Sequence, residues 1–337
     1  MKLKKLIVLI AIVSLLTALA LVKSNVTKKQ LVQEEIAASR PFTLTEDLAE
    51  GFIRKITIYR GDDEKNKIIL LKDNTDNWRI ENKFNVKARK ENVENLLKDL
   101  SGLKGELRAE SKSVFGDFNL EDAQGIHIIL EAQDAKTLAH IIVSADKPDY
   151  NSSFLRLKDS EKIILTPKDI PGRLNIYNKE SKLDNNYFTD FKLLSFDPKK
   201  IEKIATARKG KNLFTLVKKK EPDNKYIWDF EPAVKKAETD PGKIDNFLQN
   251  ASNIFAQDAL DPSITDYGFG EDNFSLALET DEKKTLAIEV GNYLEKEKAY
   301  YVKIAPENQV FKVPEHAIQN IKKDKNYFLK EKTPSRK

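Results

Sequence analysis

Three histidines, His127, His140 and His316, are the natural starting point for chemistry, because imidazole is both a common metal ligand and a proton carrier near neutral pH. His127 and His140 stand in two alternating runs, IHIILEA and TLAHIIVS, which read as paired strands of one sheet. That juxtaposition supplies half of a metal site. A metal needs three or four converging ligands, and no third ligand stands at a diagnostic spacing. The two are therefore read as isolated strand histidines. The segment YGFGED (267–272) looks like a phosphate-cradling loop, but it precedes a strand where that chemistry needs a helix N-terminus, so it is read as a turn. Carboxylates are plentiful enough that a pair can always be nominated for glycoside chemistry, and a single sequence gives no means of separating them from surface charge. No G-x-S-x-G, H-E-x-x-H, Walker or EF-hand pattern occurs. The absence of cysteine excludes disulfides, thiol catalysis and zinc–thiolate sites. No catalytic, cofactor-binding or metal-binding residue is nominated, no cofactor is expected, and the chain is read as a non-enzyme. Trp228 and the pair Tyr300-Tyr301 suit a groove for sugars or peptides. Trp78 and Trp228 hold equivalent places in a repeat, which favours packing for both tryptophans.

The elements that carry these residues occur twice, at a period of about 150 residues, which signals a duplicated domain. FIRKITIYRG and IEKIATARKG each open a β-hairpin: Ile53 and Ile56 fall on Ile201 and Ile204, and Gly61 falls on the turn glycine Gly210. A short third strand closes at Trp78 or Trp228. A helix follows, with Val93, Leu96, Leu97 and Leu100 on one face, matched by Ile244, Phe247, Leu248 and Ala251. Asp240-Pro241 supplies a capping acceptor and a first-turn proline for the second helix. Next come the loops SVFGDFNLED and SITDYGFGED, then strands at 126–130, 138–143, 154–157 and 162–165, with counterparts at 274–278, 286–290, 300–304 and 309–313. In this alignment neither His127 nor His140 has a histidine counterpart, since Ser275 and Ile288 lie near those positions. Alternating patterns and short polar turns suit antiparallel sheets with one face packed, and no strand-helix-strand crossover recurs.

The expected fold class is α+β: two tandem duplicated units, each a mostly antiparallel sheet with one packed amphipathic helix, behind an N-terminal transmembrane helix. Leu6 to Val22 is an unbroken apolar run bracketed by lysines, spanning about 26 Å as a helix against a hydrocarbon core of ~30 Å. It reads as an uncleaved signal anchor; a cleaved signal peptide, suggested by Ala18-Leu19-Ala20, is the alternative. Either reading sends the rest of the chain out of the cytoplasm. The divisions are an anchor (1–23), a stalk (24–45), a first repeat (46–167), a connector (168–200), a second repeat (201–321) and a basic tail (322–337). In the connector, Phe188, Phe191, Leu193 and Leu194 are expected to pack between the repeats. The formal net charge of +5 is concentrated in the two termini, leaving a mildly acidic body without the basic surface that nucleic-acid binding requires.

Taken together, the lysine-flanked apolar run, the Ile-x-x-Ile strands, the tryptophan-closed third strand, the Leu-Leu helix and the aromatic-glycine loop, all in duplicate, resemble the DUF4340 family of bacterial proteins from about Phe42 to Ile321. The resemblance implies a membrane-anchored extracytoplasmic protein, encoded beside an ABC-type transporter permease and a gliding-motility-type auxiliary protein. It carries no catalytic or ligand-binding residue over to this chain. The expected function is a non-enzymatic interaction protein accessory to an ABC-type transporter, with the membrane and the transporter subunits as partners and no nucleic acid. The alternative is an envelope glycan- or peptide-binding module using a cleft between the repeats.

Overall fold

The computed structural model describes residues 50–331, apart from 62, 209, 224, 235–237 and 271–272, together with Lys23 and residues 42–43. The apolar run 6–22 expected to cross a membrane lies outside the described residues. Among the described residues no helix is long and apolar enough to do so.

Strands dominate, in two mostly antiparallel sheets with few helices. The first sheet comprises β1 (Phe42–Thr43), β2 (Lys55–Arg60), β3 (Asp63–Lys72), β4 (Trp78–Ile80), β5 (Val86–Lys87), β6 (Lys104–Glu110), β7 (Ile126–Glu131), β8 (Thr137–Val143), β9 (Ser153–Leu157) and β10 (Lys162–Thr166). Its order is β1-β6-β10-β9-β8-β7-β2-β3-β4-β5. The second comprises β11 (Ile201–Arg208), β12 (Lys211–Lys220), β13 (Tyr226–Phe230), β14 (Asp258–Leu260), β15 (Ser275–Thr280), β16 (Thr285–Leu294), β17 (Ala299–Ala305) and β18 (Gln309–Pro314). Its order is β13-β12-β11-β15-β16-β17-β18-β14, and the first sheet contains the same succession as β4-β3-β2-β7-β8-β9-β10-β6. Each leading hairpin turns on a glycine with positive φ, +56° at Gly61 and +63° at Gly210, which a side chain would strain. At Gly61 a Cβ would also lie 2.3 Å from the carbonyl oxygen of Ala123.

The helices follow the expected stripes. In α1 (Lys90–Leu100), Val93, Leu96, Leu97 and Leu100 are all buried. A four-residue turn of helix, α2 (Asn185–Phe188), buries Phe188. In α3 (Pro241–Ser252), Asp240 caps the first turn by accepting from the backbone of Gly242 and Lys243, and Ile244, Phe247, Leu248 and Ala251 are buried. A fourth helix, α4 (Glu315–Ile321), buries Ile318 and Ile321. Alternation did not announce β6, where charged residues flank a single leucine, nor the three-residue β14, and α4 is too short for its period to stand out.

Two compact units divide the chain: Glu94–Asp184 joins the residues up to Ile69, and Leu70–Val93 joins Asn185 onward. Within the first, Asp99 is 6% exposed and accepts from Arg173 (2.6 Å) and Lys168 (3.0 Å). These two cations outweigh the desolvation of its carboxyl and hold it below its usual range. Within the second, Leu70–Val93 is tied down by Lys83 to Asp258 (3.3 Å), Lys87 to Glu307 (3.5 Å) and Gln309 Nε2 donating to the Asn85 carbonyl (2.9 Å). Phe188, Leu193 and Leu194 are buried in that unit. Its core includes an aromatic run in which Phe214 meets Phe230 and Phe328, and Phe328 meets Phe247, at centroid distances of 6.2, 5.0 and 5.2 Å.

Phe247→Ala removes the ring on which α3 meets that run, and a buried Phe→Ala change costs about 3–5 kcal/mol. The expected outcome is a clear fall in Tm by calorimetry, while Phe255→Ala, on an exposed ring, leaves Tm nearly unchanged.

Candidate binding site

In an antiparallel ladder, directly opposed residues share a face, and the same face recurs two residues along each strand. On the first sheet one such row runs Tyr59, His127, Ile142, Arg156, and the next runs Thr57, Ile129, His140. The corresponding row of the second sheet runs Ala207, Ser275, Glu289, Lys303, and its neighbour is Ala205, Ala277, Ala287, Ala305. The intervening residues, such as Ile56, Ile58, Ile128 and Leu130 or Ile204, Leu276 and Leu278, are fully buried on the opposite face.

On the first sheet this row is filled from within. The Tyr59 ring stacks on His127 at 4.5 Å, with 8° between their planes. His127 Nε2 lies 2.8 Å from the Asp122 carbonyl, which accepts only, so Nε2 carries the proton and Nδ1 accepts from His140 Nε2 at 2.9 Å. Arg156, 3% exposed, donates to the Leu120 carbonyl (2.9 Å) and the Lys158 carbonyl (2.9 Å) and, with Lys158, to the Asp122 carboxylate. Its guanidinium also lies 4.3 Å from the Phe115 ring centroid. The loop carrying Phe115 and Leu120 packs both against Ile142 and Ile163. The hydrogen bonds from Lys158 and Arg156 hold the Asp122 carboxyl below its usual range. Burial pushes both imidazoles below theirs; the Lys158 charge adds to this at His127, and the facing His127 and then Lys158 add to it at His140.

The two histidines anticipated as strand neighbours thus touch, and three of their four ring nitrogens lie within the pair or on the Asp122 carbonyl or are committed to holding it. His316 belongs to the second unit, on an exposed position of α4. Among the described residues no group of three His, Cys, Asp or Glu is placed to hold a metal ion. Trp78 and Trp228 are buried, 6% and 9% exposed. Tyr301 meets Tyr267 edge-on at 4.7 Å, and Tyr300 meets Tyr293 at 4.8 Å beneath the Lys322 ammonium. YGFGED leads into strand β15, and its Tyr267 hydroxyl donates to the Asp261 carbonyl at 2.9 Å.

On the second sheet the described residues leave the same row open. A cavity of about 500 Å³ lies over Ala207, Ser275, Ala287 and Ala305, with Glu289 and Lys303 at one side and Gly270 on its wall. The carboxylate of Glu289 accepts from the Gly270 N–H at 2.7 Å and lies 3.9 Å from the Lys303 ammonium, which stands 5.5 Å from the centroid of Phe269. From the loop, Tyr267 meets Tyr301 and Phe269 lies beside Lys303. The floor is largely alanine with Ser275 among it, and Glu289 and Lys303 stand at its edge.

A family profile for a domain of unknown function, DUF4340, matches residues 78–263. The chain belongs to the DUF4340 family. The DUF4340 match begins at Trp78 of β4 and takes in α1, the Arg156 cluster, α3 and β14. It ends before Gly270, so the second-sheet cavity rests mostly on residues beyond the matched stretch. Comparison with curated proteins and with solved structures returned no match.

At the register positions of His127 and His140 the second sheet carries the small residues Ser275 and Ala287. The signal in the sequence is the run of small residues in IATAR, SLALET, TLAIEV and KIAPEN, at alternate strand positions where the first sheet carries Tyr59 and His140.

The imidazole shifts set a pH dependence. The folded values lie below the unfolded ~6.5, so between the two the unfolded chain binds more protons, and stability falls as pH drops below ~6.5. Loss of the Asp122 pairing enters only in the carboxylate range, nearer pH 4. Tm is therefore expected to decline between pH 7 and 5, and the decline should flatten in the His127→Gln/His140→Gln double variant. An unchanged slope in that variant would contradict the assignment.

Proposed function

We propose that the protein is a non-enzymatic interaction scaffold, tethered by residues 1–23 to the outer side of a cell membrane and accessory to an ABC-type transporter. The reading takes the body as a tandem duplication, each copy one mostly antiparallel sheet with an amphipathic helix. The observation that carries it is the succession of eight strands found in both sheets, with matching cross-strand pairs such as Tyr59 to His127 and Ala207 to Ser275. Support also comes from how the charged clusters are used: Asp99 and Asp122 are each engaged by two cations that hold structure together. Rigid sheets can present a partner with a defined geometry. The lysine-flanked run Leu6 to Val22 motivates the tether, and the DUF4340 resemblance motivates the transporter setting. A second reading, an envelope-binding module for glycan or peptide, is favoured by the cavity over Ala287.

The test is purification of the tagged full chain from its native membranes in mild detergent, with quantitative mass spectrometry of what accompanies it. Permease and ATPase subunits at near-equal amounts are the expected outcome. Recovery of the chain alone, or of a chain that partitions to the soluble fraction with its N-terminus intact, would contradict the tethered-accessory reading.

A further inference from the structure

We propose that the cavity over Ala207 and Ala287 receives a tyrosine side chain from an extended segment of a partner protein. The inference rests on the interaction-scaffold reading and names what the scaffold recognises.

The fold displays the occupant in its other sheet. At the position of Ala207 the first sheet carries Tyr59, whose ring lies flat on the row against His127. At the position of Ala287 it carries His140, and a loop with Phe115 and Leu120 seals the same face over Ile142. In the second sheet these places hold methyl groups, and a cavity of about 500 Å³ stands where the rings would lie. An alanine floor favours a flat apolar surface, because each ring pressed on it removes apolar area from water. The edge of the cavity adds polarity. The Glu289 carboxylate and Lys303 ammonium, 3.9 Å apart on opposed strand positions, offer an acceptor and a donor to one hydroxyl. Together they present no net charge, so they complement a neutral phenol and not an anionic or cationic group. Lys303 keeps a 35% exposed side chain and Glu289 a 30% exposed one, so both can turn toward a newcomer.

A chain segment fits better than a free ring. The cavity opens onto the sheet face, so a lone ring leaves one side in water, whereas a flanking backbone can cover it. Gly270 supplies the room: a Cβ at that position would meet nothing within 4 Å, so a partner backbone can pass close beside it while its own N–H and carbonyl stay with Glu289 and Asn273.

The experiment is methyl NMR on the full chain in detergent micelles, labelled at alanine methyls, titrated with acetyl-Gly-Tyr-Gly-amide, acetyl-Gly-Ala-Gly-amide and N-acetyltyrosinamide. Saturable ring-current shifts at Ala207, Ala287 and Ala305 with the tyrosine peptide are expected. The alanine peptide should produce none, and N-acetyltyrosinamide should bind at least tenfold more weakly. Ala207→Tyr, which restores the first sheet's own plug, should weaken binding at least tenfold, and Ala287→Leu should do the same by filling the floor, while the remaining methyl spectrum stays in place. Absence of shifts, equal shifts with the alanine peptide, or shifts that persist in both plugged variants would overturn the site. Equal affinity for N-acetyltyrosinamide would overturn the partner segment in favour of a small ring-bearing ligand. Failure here leaves the co-purification of transporter subunits untouched, and loss of that co-purification leaves these shifts untouched, so the two readings fall separately.

Discussion

A strand with one buried face cannot slip by one residue, because a slip turns every buried side chain to the opposite side. Ile56 and Ile58 opposite Leu130 and Ile128, and Ile204 opposite Leu278, impose that constraint on the two sheets. Once these residues are buried, the register of β2, β7 and β8, and of β11, β15 and β16, is fixed. The composition of the other face is then fixed as well. The Tyr59 row and the Ala207 row both depend on this register, since a shift of one residue would scatter them.

The same register carries opposite contents. The first sheet spends its outer row on itself: a tyrosine stacked on a histidine, a hydrogen-bonded imidazole pair, and an arginine held by backbone carbonyls, by Asp122 and by Phe115. Burying that guanidinium is tolerable because its donors find acceptors; the same charge left unpaired would be destabilising. The second sheet leaves its row to alanine, with an ion pair at the edge, and holds together through α3 and the Phe214–Phe328–Phe247 run. One sheet face is thereby closed by its own loop, while among the described residues a cavity lies over its counterpart. Where two sheets share a strand succession, that asymmetry is where they can differ in role.

Much of the fold was legible in the sequence. The helical stripes at Val93–Leu100 and Ile244–Ala251, the cap at Asp240, the turn glycines and the paired hairpins follow from periodicity and from backbone chemistry local to a few residues. The histidine contact was foreseeable because adjacent alternating runs had to pair. Other features escaped for physical reasons. β14 has only three residues, too few for alternation to register. The burial of Phe328 depends on Phe214 and Phe247, more than 80 positions away in sequence, and a basic run gave no hint of it. The cavity was invisible because small residues at half-exposed strand positions carry no signal by themselves; they acquire meaning only against the large residues at the matching register of the other sheet.

The measurement that bears most directly on this account is the set of methyl–methyl NOEs among Ala205, Ala277, Ala287 and Ala305. Opposed side chains in an antiparallel ladder lie with Cβ atoms about 4.5–5.5 Å apart, so the register predicts cross-peaks from Ala277 to Ala205 and to Ala287, and from Ala287 to Ala305. Cross-peaks that instead join Ala287 to the methyls of Leu276 or Leu278, or no contact within the alanine row, would mean a shifted ladder. The open row would then not exist as described.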